Sequence, residues 1–281
     1  MGNLNLKNAG TVLQSALTMG ADPQSFISAP WILFLFNICP APLKRGLALV
    51  VLSLSPHYFY RKVDPRYAKM PYWQFVEAEV DRNNAAREII IDRILAPYLK
   101  PDSVVLDMGC GPGFLAKATA ARVAKVFAAD ISKGVLESAK VIQAAPNVEY
   151  LYSGDIAGKI APGSLDLIYS FAVIQHVTDD VYEVILETCR GVLKSDGRIV
   201  FHVELESEAW KPEEAWRADE SLAGKIKLQY ALNCFGRKAT YFSDAAARHG
   251  FKVVTLETIL LITKDRFDDV CDGDLLVMEK V

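Results

Sequence analysis

The stretch VLDMGCGPGF, residues 105–114, decides the fold of this 281-residue chain. A short β-rich run ends at Met108, and glycines at alternate positions then lead into a helical segment that begins at Phe114. Such glycines let the backbone turn sharply and let a ligand approach main-chain N–H groups at a helix N-terminus. The stretch therefore predicts a strand, a ligand-binding loop and a helix, with the ligand held by Asp107, Gly109, Gly111 and Gly113.

From residue 100 onward, short β-rich runs alternate with helical ones, which indicates an α/β fold with helices on both faces of a mostly parallel sheet. Seven strands are predicted, at 104–108, 125–130, 148–154, 165–171, 198–205, 251–260 and 274–280. Helices are predicted at 113–122, 132–144, 179–193 and 243–249, with a helical insertion after the fifth strand. The last two strands follow one another without a helix, so the final strand is expected to run antiparallel.

Three aspartates stand at the ends of the first three predicted strands: Asp107, Asp130 and Asp155. The carboxyl ends of parallel strands meet at one edge of the sheet, where open α/β folds bind their ligands. The carboxylate after the second strand can accept both hydroxyls of a ribose, and the one after the third can accept an adenine amine. The carboxylate before the loop can interact with a cationic amino group.

The loop reads G-x-G-x-G, whereas dinucleotide-binding loops read G-x-G-x-x-G or A and need a small residue where this chain has Phe114. This spacing disfavours a nicotinamide-dependent oxidoreductase, which stays the weaker enzymatic alternative. A glycine-rich turn alone is weak support for any ligand. The glycine-rich turn and the three aspartates together predict a nucleoside-containing cofactor.

The segment VLDMGCGPGFLAKATAARVAKVFAADIS resembles the cofactor-binding half of the class I S-adenosylmethionine-dependent methyltransferases, and SGDIAGKIAPGSLDLIYSFAVIQHV resembles the next two motifs of that family. LKSDGRIVFHVE and YFSDAAARHGFKVVTLE are similar to its later strands and last helix. The resemblance implies a Rossmann-like seven-stranded sheet and S-adenosylmethionine as cofactor. It places the methionine moiety against Asp107 and the glycines, and the ribose at Asp130. The adenine face falls at Ile131, the adenine edge at Asp155 and Ile156, and the floor of the site at Phe171.

His176 lies between the fourth strand and the helix that starts near Thr178, at the rim of the expected site. An imidazole suits the removal of a proton from a hydroxyl near neutral pH, so His176 is the candidate catalytic base for O-methylation. The alternative is a histidine that only packs or caps the helix. No amide-methylating NPPY-like tetrapeptide follows the fourth strand, and the sequence suggests no metal site. On the fifth strand, His202 and Glu204 share one face, with a structural role favoured for Glu204.

The N-terminal residues 1–70 are predicted to form an apolar and basic extension of a domain that spans 71–281. Residues 1–76 carry seven basic and two acidic side chains, so their net charge is +5, and the remainder is −8. No transmembrane span or secretory signal is predicted, which indicates a cytoplasmic protein, and the overall charge of −3 argues against a nucleic-acid partner. Two interpretations of the extension stay open: a packed lid, or peripheral membrane contact through residues 26–69.

Two further segments bear on the acceptor. The predicted insertion 206–241 carries aromatic residues that form either core or the wall of an acceptor pocket. A helix predicted over 72–96 carries Glu79, Arg82 and Asn83, for which a solvated face is favoured over cofactor contact. The sequence thus predicts a methyltransferase for a small-molecule or lipid- or sugar-linked acceptor, and a non-catalytic module that retains the cofactor pocket is the alternative from another class.

Overall fold

The computed structural model describes residues 30–54, 67–208, 210–229, 233–259 and 273–281. Seven strands form one sheet in the order β3-β2-β1-β4-β5-β7-β6. Their bounds are β1 Val104–Met108, β2 Lys125–Asp130, β3 Val148–Tyr152, β4 Leu165–Ser170, β5 Leu193–Val203, β6 Phe251–Ile259 and β7 Gly273–Lys280. Strands β1 to β5 pair in parallel, and β7 runs antiparallel to both β5 and β6. The predicted α/β class, with an antiparallel last strand, is confirmed.

The helices α1 Pro30–Ile38, α2 Ala41–Ser53 and α3 Tyr72–Ile90 precede the sheet. Within the sheet region, the helices are α4 Phe114–Ala120, α5 Lys133–Ile142, α6 Ile156–Lys159, α7 Asp179–Val192 and α10 Ala239–Arg248. The insertion after β5 contains α8 Glu213–Arg217 and α9 Leu222–Gln229. The helix predicted over 72–96 changes character near its end, because Ile91–Leu95 form a π-helical turn and Ala96–Tyr98 a 3₁₀ turn.

Two predicted boundaries were wrong by four or five residues. Strand β5 begins at Leu193, not at 198, because Leu193 already pairs with Leu165 before an irregularity in the register. The polar run between Leu193 and Gly197 hides this pairing in the sequence. Helix α10 begins at Ala239, not at 243, because its first turn places Tyr241 and Phe242 against Tyr182 of α7. Packing therefore extends a helix whose first residues suggested a loop.

The N-terminal helices pack against the cofactor-binding half of the sheet. Ile32 and Phe36 of α1 share an apolar cluster with Phe75 of α3 and with Phe114, the first residue of α4. No helix in the described ranges is long and apolar enough to cross a bilayer. Of the predicted extension, residues 1–29 and 55–66 lie outside the described residues, and so does the aromatic stretch PHYFYRK.

Candidate active site at the carboxyl edge of the sheet

The glycine loop after β1 is fastened to the end of β2. The backbone N–H groups of Gly109 and Cys110 both donate to the carbonyl oxygen of Ala129, at 2.8 and 2.9 Å. The N–H of Gly111 donates to the Asp130 carboxylate at 2.8 Å, and the N–H of Ser132 donates to its other oxygen at 2.8 Å. Asp130 therefore joins the loop to the start of α5, and its carboxylate keeps acceptor capacity for a further donor.

The three glycines of the loop have left-handed φ angles, but they are required for different reasons. A Cβ at Gly109 would lie 2.5 Å from Val173, and one at Gly113 would lie 2.4 Å from the Tyr150 hydroxyl, so the fold itself excludes side chains there. Gly111 has φ +50°, yet its Cβ would meet no protein atom within 4 Å. The open space above Gly111 is a cradle that a side chain would enter, as expected where a ligand lies against the main chain.

Asp107 is buried beneath this loop, with 2% of its surface exposed, and its Oδ2 has no hydrogen-bond partner. Burial, together with the nearby Asp130 charge, raises the pKa of Asp107 to about 8, and the guanidinium of Arg87 acts in the opposite direction. A buried carboxyl oxygen without a partner is costly unless a donor or cation reaches it. Arg87 on α3 is a residue that the sequence analysis missed, because nothing in its helical spacing distinguishes it from its solvated neighbours.

The residues predicted to hold the nucleoside lie along the same edge. Ile131 follows Asp130 and is 53% exposed, which is unusual for an isoleucine beside a buried strand. Asp155 is exposed in the 3₁₀ turn after β3 and lines a cavity of about 450 Å³ with Tyr152 and Lys133. Ile156 is 2% exposed, so its side chain belongs to the core and only its backbone can face a ligand.

At the end of β4, the chain turns through an uncommon backbone conformation. Ala172 has φ +58°, the only positive φ of a non-glycine residue in the described ranges. Such strain persists where the surrounding structure over-determines it, and it concentrates at functional sites. Phe171, just before this turn, stacks on the buried ring of His202 with centroids 6.2 Å apart. Neither ring nitrogen of His202 has a hydrogen-bond partner, and burial lowers its pKa to about 4.

His176 ends the short 3₁₀ turn Ile174–His176 that follows. Its Nδ1 lies 3.0 Å from the backbone carbonyl oxygen of Asn233, which fixes Nδ1 as the protonated nitrogen and leaves Nε2 with a lone pair. His176 is an exposed residue, and desolvation by the surrounding protein lowers the pKa of its imidazole below the ordinary value. A neutral imidazole with a set tautomer can accept a proton from a hydroxyl.

The turn that carries His176 is clamped by Arg237, a residue that the sequence analysis did not single out. The guanidinium donates to the carbonyl oxygens of Ile174 at 3.0 Å and Val177 at 2.6 Å, one on each side of the histidine. Its Nε donates to Asp179 at 2.7 Å. The backbone N–H of Arg237 donates to the carbonyl oxygen of Glu204, so the clamp is also fixed to the end of β5. Arg237 is 4% exposed, which strengthens these charge-assisted bonds.

One expectation about neighbouring side chains was wrong. Glu79 on α3 is fully buried and Asn83 is 7% exposed, so they do not form a solvated face; Arg82 donates to both Glu79 carboxylate oxygens, at 2.8 and 3.0 Å. For the insertion aromatics, which the sequence left as either core or acceptor wall, the structure places several in the core. Phe235 and Phe242 are buried, and Tyr241 packs on Tyr182. Helical spacing of aromatics gave no means of separating these roles.

The arrangement fits the cofactor that the resemblance implies. Gly111 leaves room for a ligand against the main chain, the orphaned Asp107 oxygen can take up an amino group, and Asp130 keeps lone pairs for ribose hydroxyls. Exposed Ile131 offers an apolar face to a planar base. Asp107, the glycines, Asp130, Ile131, Asp155, Phe171 and His176 thus gather at the carboxyl ends of β1 to β4, as ligand sites of open α/β sheets do.

Comparison with known proteins agrees with this geometry. Residues 106–201 match the family described as "Methyltransferase domain". A ubiquinone biosynthesis O-methyltransferase of Xanthomonas campestris is 26% identical over 151 residues, which cover 52% of this chain and 62% of that protein. The protein of that name in Neisseria meningitidis is 34% identical over 103 residues, covering 34% of this chain and 42% of its own length. The chain thus spans less than two thirds of the length of these curated relatives.

Solved structures share the fold at lower identity. An S-adenosylmethionine-dependent methyltransferase of Mesorhizobium loti is 18% identical, with a TM-score of 0.52, and the match covers 70% of this chain and all of that one. Mitomycin 7-O-methyltransferase is 15% identical, with a TM-score of 0.50, covering 97% of this chain and 75% of the other. At these identities the likeness shows the fold. The sequence match identifies residues 106–201 as a methyltransferase domain, and the solved structures show that its fold is that of S-adenosylmethionine-dependent methyltransferases.

Proposed function

We propose that this protein transfers a methyl group from S-adenosylmethionine to a hydroxyl oxygen of a small-molecule acceptor, with His176 as the general base. The observation that carries the proposal is the hydrogen bond between His176 Nδ1 and the Asn233 carbonyl oxygen, 3.0 Å long. It gives the imidazole one defined tautomer at the end of β4, next to the strained Ala172. The hydrogen bond also leaves a lone pair on Nε2, which a general base requires.

When bound, S-adenosylmethionine supplies a methyl group on a sulfonium, which needs no further activation as an electrophile. The protein's share is alignment, exclusion of water and removal of the acceptor's proton. His176 Nε2 would take the hydroxyl proton as the new carbon–oxygen bond forms, and its lowered pKa keeps it neutral and ready at pH 7. The Arg237 clamp would hold the base in position during this step.

The choice of oxygen as the attacked atom has two supports. The curated relatives compared above are named O-methyltransferases, and a neutral imidazole is a base suited to hydroxyl acceptors. In addition, the sequence at the end of β4 reads Ser170-Phe171-Ala172-Val173, which lacks the polar-Pro-Pro-aromatic form of amide-methylating sites.

Two measurements test the proposal in order. Titration calorimetry with S-adenosylhomocysteine and, separately, with NAD should give heat only for the first. Incubation with S-adenosylmethionine and a panel of hydroxylated aromatic compounds should then give products heavier by one methylene unit, at a rate that His176→Gln lowers. Cofactor binding without any methylated product would favour the non-catalytic alternative, and binding of NAD alone would overturn the proposal.

A further inference from the structure

We propose that α1 and the start of α2 dock this protein on the surface of an anionic lipid bilayer. Helix α1, PWILFLFNI, carries two apolar stripes on opposite sides. The inner stripe, Ile32 and Phe36, is buried against the domain. The outer stripe is exposed to solvent by 37% to 58% and consists of Trp31, Phe34, Leu35 and Ile38.

The spacing of the outer stripe marks it as a surface built for contact. Its positions follow one another at i, i+3, i+4 and i+7, which lines them along one side of the helix. A surface helix ordinarily places charged side chains there, but α1 contains none. Leu43, in the first turn of α2, is 63% exposed and continues the apolar character into the next helix. Contiguous exposed apolar side chains of this kind indicate an interaction site.

The charge around the stripe selects an anionic partner. No acidic residue stands between Asp22 and Asp64, whereas Lys44 and Arg45 lie near the start of α2, the helix that follows α1. Arg45 also pairs with Glu77 at 2.6 Å, which ties α2 to α3 and orients this basic turn. Among the described residues up to Val76, Lys44, Arg45 and Lys69 are basic and none is acidic, so a negatively charged surface attracts this part of the protein. A second copy of the chain would bring two positive ends together.

The length of the element limits how it can meet a membrane. Nine residues of helix rise about 14 Å, less than half of the roughly 30 Å of a hydrocarbon core. An uncharged helix with an aromatic at its start and basic residues just after it suits the interface, where apolar side chains enter the acyl boundary and lysines reach the head groups. The docked helix would lie in the plane of the membrane surface.

The position of this surface relates it to the site. Ile32 and Phe36 share an apolar cluster with Phe114, which directly follows Gly113 of the cofactor loop. A docked protein would therefore hold that loop close to the bilayer, within reach of an acceptor carried on a lipid. This last step rests on the proposed methyl transfer, whereas the docking itself does not.

Vesicle flotation of the full chain tests the docking without any turnover. The vesicles are phosphatidylcholine alone or phosphatidylcholine mixed with phosphatidylglycerol. We expect the wild type to float with the mixed vesicles and not with the neutral ones. Phe34→Asp should lower the bound fraction about tenfold or more, because it places a charge where an apolar ring enters the membrane. Lys44→Glu should weaken binding to the mixed vesicles as well.

Val184→Asp is the matched control, since Val184 on α7 is 65% exposed and Phe34 is 58% exposed, so neither change removes core packing. Thermal unfolding should show both variants folded, and Val184→Asp should float like the wild type. Equal flotation of wild type and Phe34→Asp would overturn the proposal. Failure of the folded wild type to bind the mixed vesicles would also overturn it. If light scattering then showed a dimer that Phe34→Asp dissociates, the stripe would be an interface between two copies of the chain.

Discussion

The Nδ1 atom of His176 lies 3.0 Å from the backbone carbonyl oxygen of Asn233, which stands 57 positions later in the chain. A backbone carbonyl accepts and cannot donate, so this contact makes Nδ1 the protonated nitrogen. The lone pair is thereby left on Nε2, and desolvation keeps the ring neutral near pH 7 by lowering its pKa. The protonation state of His176 therefore depends on a residue from a segment far away in the sequence.

If His176 is that base, His176→Gln should lower kcat by a factor of about 10² to 10⁴, the usual contribution of a positioned general base. Affinity for S-adenosylhomocysteine should not change. Because the pKa of His176 is lowered, the acid limb of the kcat/KM profile should lie below pH 6.5, the ordinary value, and should vanish in the variant. His249→Gln is the control, because His249 bonds to Glu183 and Glu187, away from the loop. An unchanged kcat in His176→Gln would refute the assignment.

Arg237→Lys tests whether the clamp positions the base. A lysine ammonium cannot reproduce the three directed bonds to Ile174, Val177 and Asp179. We expect kcat to fall about tenfold or more, because a displaced base slows proton removal. The affinity for the cofactor should change little, because the base does not hold the cofactor. The titration of His176, followed by NMR, should also move toward the ordinary histidine pKa as the turn loosens.

Arg122→Lys is the matched control for the clamp. Arg122 likewise donates to a backbone carbonyl, that of Ala118 at 3.0 Å, and pairs with Glu88 at 2.7 Å, but it lies outside the His176 turn. Both substitutions should cost some stability, measured by urea unfolding. If the two variants lose the same activity, or if the His176 titration does not move in Arg237→Lys, then Arg237 has only a structural role.

The sequence predicted those parts of the site whose positions follow from where each strand ends. Asp107 and Asp130 end adjacent parallel strands, and the glycines lie in the turn after the first, so strand ends alone bring them together. The Gly111–Asp130 bond joins residues only 19 positions apart across that pair of strands. Periodicity and turn chemistry were sufficient here, because nothing outside the βαβ unit decides the geometry.

The remaining parts depend on packing that no local pattern records. Asn233 and Arg237 reach His176 from the end of an insertion, and their residue types carry no signal for tautomer control or for a backbone clamp. Glu79 looked solvated because charged residues usually are, yet it is buried with Arg82 as its partner. Phe242 of α10 likewise belongs to the core only because its ring packs against Tyr182 of α7, a contact between distant parts of the sequence.

Asp107 should couple cofactor binding to proton release. Its pKa of about 8 in the ligand-free protein means that the carboxyl is mostly protonated at pH 7. A bound amino group would favour the carboxylate, so the proton should leave on binding. Calorimetry with S-adenosylhomocysteine at pH 7, in buffers of different ionisation enthalpy, should show this release in the wild type and lose it in Asp107→Asn. Heats that do not depend on the buffer would contradict the coupling.

The same carboxyl should influence stability. Its folded-state pKa lies above the ordinary value of 3.8, so the native state holds this proton between about pH 4 and 8 while the unfolded chain has lost it. The free energy of unfolding of the ligand-free protein should therefore fall as pH rises through that range. Asp107→Asn should reduce this slope, which urea titrations at several pH values would measure.

Gly111→Ala separates the cost of a backbone conformation from the cost of filling the cofactor cradle. Gly111 has φ +50° and Gly163 has φ +61°, and at each a Cβ would meet no protein atom within 4 Å. An alanine at either position should lower the free energy of unfolding by about 1 kcal/mol, through the left-handed backbone alone. Only the methyl group at Gly111 would occupy the space left for the cofactor. We expect Gly111→Ala to raise the Kd for S-adenosylhomocysteine about tenfold or more, and Gly163→Ala to leave it unchanged; equal affinities in the two variants would mean that no ligand lies against Gly111.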